Sequence, residues 1–270
     1  MKLRLLTLLA TTSLLAACAG TPQHRGDGVE VGEASSLRTL VPAADLEKAA
    51  ASQYSQLKRA AAEKSALAPD NYPQLIRLRG IAKRILPFVE RFNPDARQWQ
   101  WEVNLIGSKQ LNAFCMPGGK IAFYTGIIDQ LKLTDDEIAM VMGHEIAHAL
   151  REHARERLAK NQLTDVGATI LGELLGGGQV TDLFKAGGNL MSLKFSRDDE
   201  SEADVIGLDL AARAGYDPRA GISLWQKMGA AANGAPPAWL STHPAGNDRI
   251  AEIEQHLPDV MPLYEAAHRK

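Results

Sequence analysis

The sequence predicts an α+β protein: a mostly helical body with one small antiparallel sheet, placed just before a helix that carries the chemistry. Three observations predict it. Apolar residues recur at helical spacing in segments 45–67, 72–92 and 134–150. Segment 99–106 instead alternates Trp99, Trp101, Val103 and Leu105 with Gln100, Glu102 and Asn104, the two-residue period of a strand. Two short strand candidates, 111–116 and 120–125, are joined by the turn signal Pro117-Gly118-Gly119.

Taken in order, the chain opens with Lys2 and Arg4 and an apolar run over 5–17, the pattern of a signal peptide. Leu15-Ala16-Ala17-Cys18 resembles a bacterial lipobox, which makes Cys18 the expected lipidation site and a lipid anchor the expected membrane contact. Ala19, where an Asp would favour inner-membrane retention, points to the periplasmic side of the outer membrane. Residues 18–44 are polar and weakly patterned and read as a tether, leaving 45–270 as one domain. No later segment is long and apolar enough to be a transmembrane helix. A net charge of -2 leaves no broad basic surface, so nucleic acid is not an expected partner. With Cys18 lipidated, Cys115 has no partner and no disulfide framework exists; between Phe114 and Met116 it reads as a small buried hydrophobe.

Segment 45–67 is Ala-rich with Leu and Tyr at helical spacing, and 72–92 repeats that character, with Pro73 near its start and Pro87 to kink or end it. Both pack around the core, their Lys and Arg forming solvated faces. The sheet that follows has an edge strand. That strand either pairs with an extended peptide or is an ordinary structural hairpin, and the residues leave both open.

Thr134-Asp135-Asp136-Glu137 is a capping box, and Ile138, Met140, Val141, Ile146, Ala149 and Leu150 follow as an apolar stripe. His144-Glu145-Ile146-Ala147-His148 therefore lies on a buried-side helix. Two unpaired imidazoles there would be costly, and a ligand role removes the cost. Residues four apart share a helix face, so His144 and His148 can converge on one ion, and Glu145 can reach a water on that ion. Zinc, one per chain, with three protein ligands and an open position, is the expected cofactor.

A third ligand is expected in 196–204, where Ser196 reads as an N-cap with acids in the first turn. Glu200 and Asp204 share a face, so one can bind metal while the other orients an imidazole. Asp198, Asp199 and Glu202 read as complements to the helix dipole, but spacing alone does not choose between Glu200 and Glu202. Between these helices, 161–193 carries glycines among Leu, Ile and Phe; a gate over the cleft is one reading and an irregular loop the other. Residues 203–214 continue the Glu200 helix, with Gly215 as its C′ residue. Pro218 opens another helix, 230–237 is a link, and Ser241-Thr242-His243-Pro244 precedes a last helix starting near Asn247. No internal repeat, phosphate loop or Gly-x-Ser-x-Gly elbow is present.

These motifs together resemble the zinc metallopeptidase family that includes the CAAX prenyl endopeptidases and HtpX, and within it the periplasmic and lipoprotein BepA- and LoiP-like members. The resemblance covers 75–257. Asn112-Ala113-Phe114 with Pro117-Gly118-Gly119 is similar to the family's substrate-side strand and hairpin. HEIAH is similar to its metal helix, and Ser241-Thr242-His243-Pro244 with Arg249-Ile250 to its C-terminal signature. Glu200-Ser201-Glu202-Ala203-Asp204 resembles its acidic motif, which favours Glu200 as ligand and implies Asp204 as the carboxylate behind it. The resemblance implies a zincin-type α+β core, zinc endopeptidase activity, polypeptide substrates and an edge strand that holds them.

The expected mechanism has His144, His148 and Glu200 on zinc and Glu145 as general base. His243 is open between donating to the oxyanion and filling a fourth metal position. Arg249 is open between pairing with an active-site acid such as Asp204 and sitting passively on the last helix. The envelope address suggests misfolded or misassembled envelope proteins as substrates. The competing expectation is a chaperone or assembly factor with a latent, His-plugged metal site.

Overall fold

A computed structural model describes residues 28–170, 190–232, 238–243 and 248–269, with side chains set aside over 162–170. Signal segment 1–17, Cys18, most of 161–193 and Pro244 lie outside the described residues.

Helix α1 (Ala43–Glu63) and helix α2 (Pro73–Ile85) match the two predicted N-terminal helices. Proline at the first position of α2 lacks an N–H that would be unpaired there anyway. The α-helix stops at Ile85 and a 3-10 turn, Leu86–Arg91, takes over at Pro87. Three strands follow: β1 (Glu102–Ile106), β2 (Ala113–Met116) and β3 (Lys120–Tyr124).

The sheet differs from the wholly antiparallel one expected. Its order is β1-β3-β2, with β1 parallel and β2 antiparallel to β3. Residues 107–112 turn the chain back with a gap one strand wide, and the Pro117–Gly119 hairpin folds β3 into that gap. Gly119, at φ +81°, sits in the left-handed region that glycine adopts without penalty. Alternation along a strand reveals its faces but not its neighbour, so the parallel pair was hidden.

Helix α3 (Thr125–Leu131) leads to α4 (Asp135–Leu150), the HEIAH helix. Its capping box forms in full: Glu137 N–H donates to Thr134 Oγ1 at 3.2 Å and Thr134 N–H to Glu137 Oε2 at 2.8 Å. From Glu137 to Leu150 every residue of α4 is buried. Each fully buried Ile, Leu or Met contributes about 1.5–3 kcal/mol of transfer free energy, so the helix is held by its packing.

Helix α5 (His153–Ile170) begins after a single turn. Helix α6 (Arg197–Arg213) carries the acidic motif and has its own capping box, Ser196 with Asp199. Helix α7 (Ala220–Ala231), the short α8 (Ala238–Thr242) and α9 (Arg249–His268) complete the body.

Helix α4 lies against α6, β2, α2 and α7. The α4–α6 crossing is close because Gly143 faces Gly207: a Cβ on Gly143 would meet Gly207 O at 2.8 Å, and one on Gly207 would meet His144 N at 2.8 Å. The acidic motif therefore stands directly opposite the histidines.

From Gly28, the segment expected as a tether lies on the body. Val29 N–H donates to buried Asp209 at 3.0 Å, Gly32 O accepts from Arg151 at 2.5 Å, and the 3-10 turn Ser36–Leu40 packs on α5. No helix among the described residues is long and apolar enough to cross a membrane.

Candidate metal centre

Four buried side chains converge: His144 and His148 from α4, Glu200 from α6, and His243 at the end of α8. One ligand atom from each lies within 4.8 Å of all the others. Both helix imidazoles present Nε2. His144 Nε2 is 3.0 Å from His148 Nε2 and 3.2 Å from His243 Nδ1. Glu200 is 3.6 Å from His144 Nε2, 3.5 Å from His148 Nε2 and 3.0 Å from His243 Nδ1.

Zinc bonds of about 2.0–2.1 Å at tetrahedral angles separate ligand atoms by about 3.3–3.4 Å. The observed spacings scatter around that edge length. Three imidazole nitrogens and a carboxylate oxygen are also the donor chemistry zinc accepts, so the residues fit the ion.

His144 Nδ1 meets Asp204 Oδ1 at 2.9 Å. Arg249 then clamps both acids of α6: Nε and Nη2 donate to the two oxygens of Asp204 at 2.6 Å each, and Nη1 to Glu200 Oε2 at 2.7 Å. Its guanidinium also lies 3.7 Å from the centre of the Trp225 ring.

Burial alone would raise the Asp204 carboxyl, but Arg249 and His144 outweigh it and bring the pKa down to about 2. Glu200 behaves alike: burial opposes ionisation, yet the His243 hydrogen bond and the charges of His144, His243 and Arg249 hold it below the usual range. Burial and the neighbouring His144 and His153 rings press His148 well below its ordinary value. Burial would lower His243 too, but Glu145 and Glu200 reverse the sign and raise it.

Glu145 approaches the ring nitrogen of His243 opposite the one that Glu200 meets. Its Oε1 accepts from the Trp239 indole at 2.6 Å and lies 3.5 Å from His243 Nε2. Trp239 also stacks on His243, ring centres 4.9 Å apart. On the other side Phe195 stacks on His148 at 4.0 Å.

The expected substrate strand borders this cluster. Tyr124 N–H donates to Asn112 O, which sets the register so that the main chains of Asn112, Phe114 and Met116 point at β3 and those of Ala113 and Cys115 point outward. That outer edge flanks a cleft lined also by Glu145, Leu190, Leu193, Phe195 and His243. The side chains of Ala113 and Phe114 are buried, so the strand offers the cleft its backbone. Cys115 is half-buried rather than wholly buried, because β2 is an edge strand and this residue lines the cleft. Burial and the nearby Glu145 push its thiol well up, which keeps it a poor nucleophile.

The structure thus brings together His144, Glu145, His148, Glu200, Asp204, His243 and Arg249, with Asn112, Ala113 and Phe114 alongside. Sequence reasoning missed Trp239, Phe195 and His153. It also read Glu202 as a dipole complement, whereas Glu202 pairs with His153 at 2.9 Å and Arg151 at 2.8 Å. The one signal for His153 was a third histidine five residues past His148.

A helix presenting two imidazoles, a carboxylate from a second helix and buried partners that orient the rings define a helix-borne metal site of the kind metallohydrolases use. The chain belongs to peptidase family M48, whose profile matches residues 77–257. It is 40% identical to the mitochondrial metalloendopeptidase OMA1 of Arabidopsis thaliana over 57% of this chain and 31% of that protein. It is 34% identical to the OMA1 of Schizosaccharomyces pombe over 71% and 55%. With the metalloprotease LoiP of Escherichia coli it shares 28% identity over 67% of this chain and 70% of LoiP. The chain spans about a third to somewhat over half of the length of these two OMA1 relatives.

Proposed function

We propose that the protein is a zinc-dependent endopeptidase. The observation that carries this reading is the convergence of His144, His148 and Glu200 beside Glu145, next to an edge strand with outward-pointing main-chain groups. Zinc held by the three residues supplies Lewis acidity, polarising a carbonyl and lowering the pKa of water to about 7.

The chain's own residues supply the rest. The edge of β2, through the main chains of Ala113 and Cys115, pairs with an extended polypeptide and lays a peptide bond across the cleft. Glu145 takes the proton of the attacking water and returns it to the leaving amine, its carboxylate held in place by Trp239. Asp204, neutralised by Arg249, keeps His144 oriented. His243, which lines the cleft and whose Nε2 is 3.5 Å from Glu145, donates to the developing oxyanion.

Glu145→Gln should keep zinc and lose about 10²–10⁴-fold in cleavage of an unfolded protein. Cleavage at the parental rate, or activity that survives complete demetallation, would overturn the mechanism.

Cys18 in its lipobox setting supports a lipid-anchored protein on the periplasmic side of the outer membrane, acting on misfolded or misassembled envelope proteins. The kinship with LoiP of Escherichia coli fits a bacterial setting, while the OMA1 relatives are named as mitochondrial. Radiolabelled palmitate should enter the parent and not Cys18→Ala, and the parent should fractionate with outer membranes. A soluble, unlabelled parent would sink this assignment.

A second reading rests on His243 Nδ1, which completes a four-donor set with His144, His148 and Glu200. A closed set suits a latent site in a chaperone or assembly factor. Rescue of an envelope-assembly defect by Glu145→Gln would favour it.

A further inference from the structure

We propose that His153, oriented by Glu202, is the positioning residue that keeps the metal-facing nitrogen of His148 free of a proton. The inference rests on the reading that this cluster holds zinc.

The geometry orders the protons when each of the two rings carries one. His153 Nε2 is 2.9 Å from Glu202 Oε2. A carboxylate can only accept, so a His153 ring with one proton holds it on Nε2. Its Nδ1 is then a bare acceptor, 2.9 Å from Nδ1 of His148. The proton between the two rings must therefore belong to His148 Nδ1. That leaves His148 Nε2 as the lone pair, and Nε2 is the atom facing His144 and Glu200. Glu202 cannot turn away easily, because its other oxygen is engaged by Arg151 at 2.8 Å and Arg151 also donates to Gly32 O.

The backbone is built for this contact. In an unbroken helix, residues five apart point about 140° away from each other, so His153 could not touch His148. Helix α4 ends at Leu150 and Glu152 adopts φ +58°, a left-handed conformation unfavourable for a side-chain-bearing residue. That single residue lets α5 start at His153 and swings its ring back beneath His148. His153 is 3% exposed, so water does not stand in for either hydrogen bond.

The test uses the full-length protein, with and without zinc. Long-range proton–nitrogen NMR of the imidazoles should place protons on Nδ1 of His148 and Nε2 of His153. A proton on Nδ1 of His153 would overturn the proposal. His153→Asn keeps an acceptor where Nδ1 was; His153→Gln keeps only a group reaching Glu202. Chelator competition should show His153→Gln losing about 10–100-fold in zinc affinity and His153→Asn staying within about three-fold of the parent. Metal-free unfolding should be alike in the two variants. Equal losses in both, or neither losing affinity, would mean that His153 is only packing. If His153→Gln fails to fold, the NMR assignment on the parent still decides. A parent that binds no zinc sinks the metal reading itself; a parent that binds zinc as tightly as His153→Gln sinks this inference alone.

Discussion

The two imidazoles of α4 are supported in opposite ways. His144 leans on a charge, Asp204, which is neutralised at once by Arg249. His148 leans on another ring, His153, and charge enters one residue further out, at Glu202. Depth explains the difference. Asp204 and Glu200 are 7% and 2% exposed between α4, α6 and α9, where a carboxylate needs a cation of its own. The Glu202 side chain is 24% exposed, and solvent shares its charge with Arg151. A buried ion pair fixes a ligand firmly but makes the fold depend on both partners. A neutral contact orients a ring without that dependence.

The two arginines give the largest test. Arg249→Met strands two buried carboxylates and should lower the stability of the metal-free protein by about 3–5 kcal/mol in urea unfolding. Arg151→Met, whose carboxylate partner Glu202 stays partly solvated, should lose less, about 1–2 kcal/mol, in the same measurement. Equal losses would erase the distinction between the flanks.

Acid provides a second, smaller test. The folded pKa of Asp204, about 2, lies below its ordinary value of 3.8. The stabilisation is therefore fully present above about pH 4 and is lost as pH falls through about 2; it is on the order of 2 kcal/mol. The stability gap between the metal-free parent and Asp204→Asn should close across that interval. A gap unchanged down to pH 2 would show that the Arg249 pair does not depend on the Asp204 charge.

The smallest effect belongs to a residue that braces neither of these imidazoles through a hydrogen bond. Trp239→Phe removes the indole donor to Glu145 and should lower kcat several-fold, about 1 kcal/mol, with zinc affinity unchanged. A fall in zinc affinity would mean that Trp239 also braces the cluster, through its stacking on His243.

Much of this site was legible in the chain. The α4 capping box, the N-cap at Ser196, the helix faces of His144 with His148 and of Glu200 with Asp204 and the Gly215 terminus follow from rules spanning a few residues, and the structure repeats them. The alternation expected over 99–106 is not repeated: the strand begins at Glu102, and Asn104 is buried along with Val103 and Leu105 because both faces of β1 are covered. The ambiguity between Glu200 and Glu202 also had a physical origin. Two acids two positions apart satisfy the same helix-start rules, and which one meets the histidines depends on how α6 crosses α4.

That crossing, through Gly143 and Gly207, was decided only in three dimensions. So were the insertion of β3 beside β1, the arrival of Trp239 at Glu145 and the return of His153 beneath His148. The sequence by itself determined local periodicity, caps and the shared helix face of His144 and His148, because hydrogen bonds and side-chain spacing within one element are set by neighbours in the chain; it left Glu200 and Glu202 level as the third candidate. Tertiary structure alone decided which charges meet and which nitrogen is left bare. Those outcomes depend on burial and on contacts such as that between Arg249 and Asp204, which no local pattern encodes.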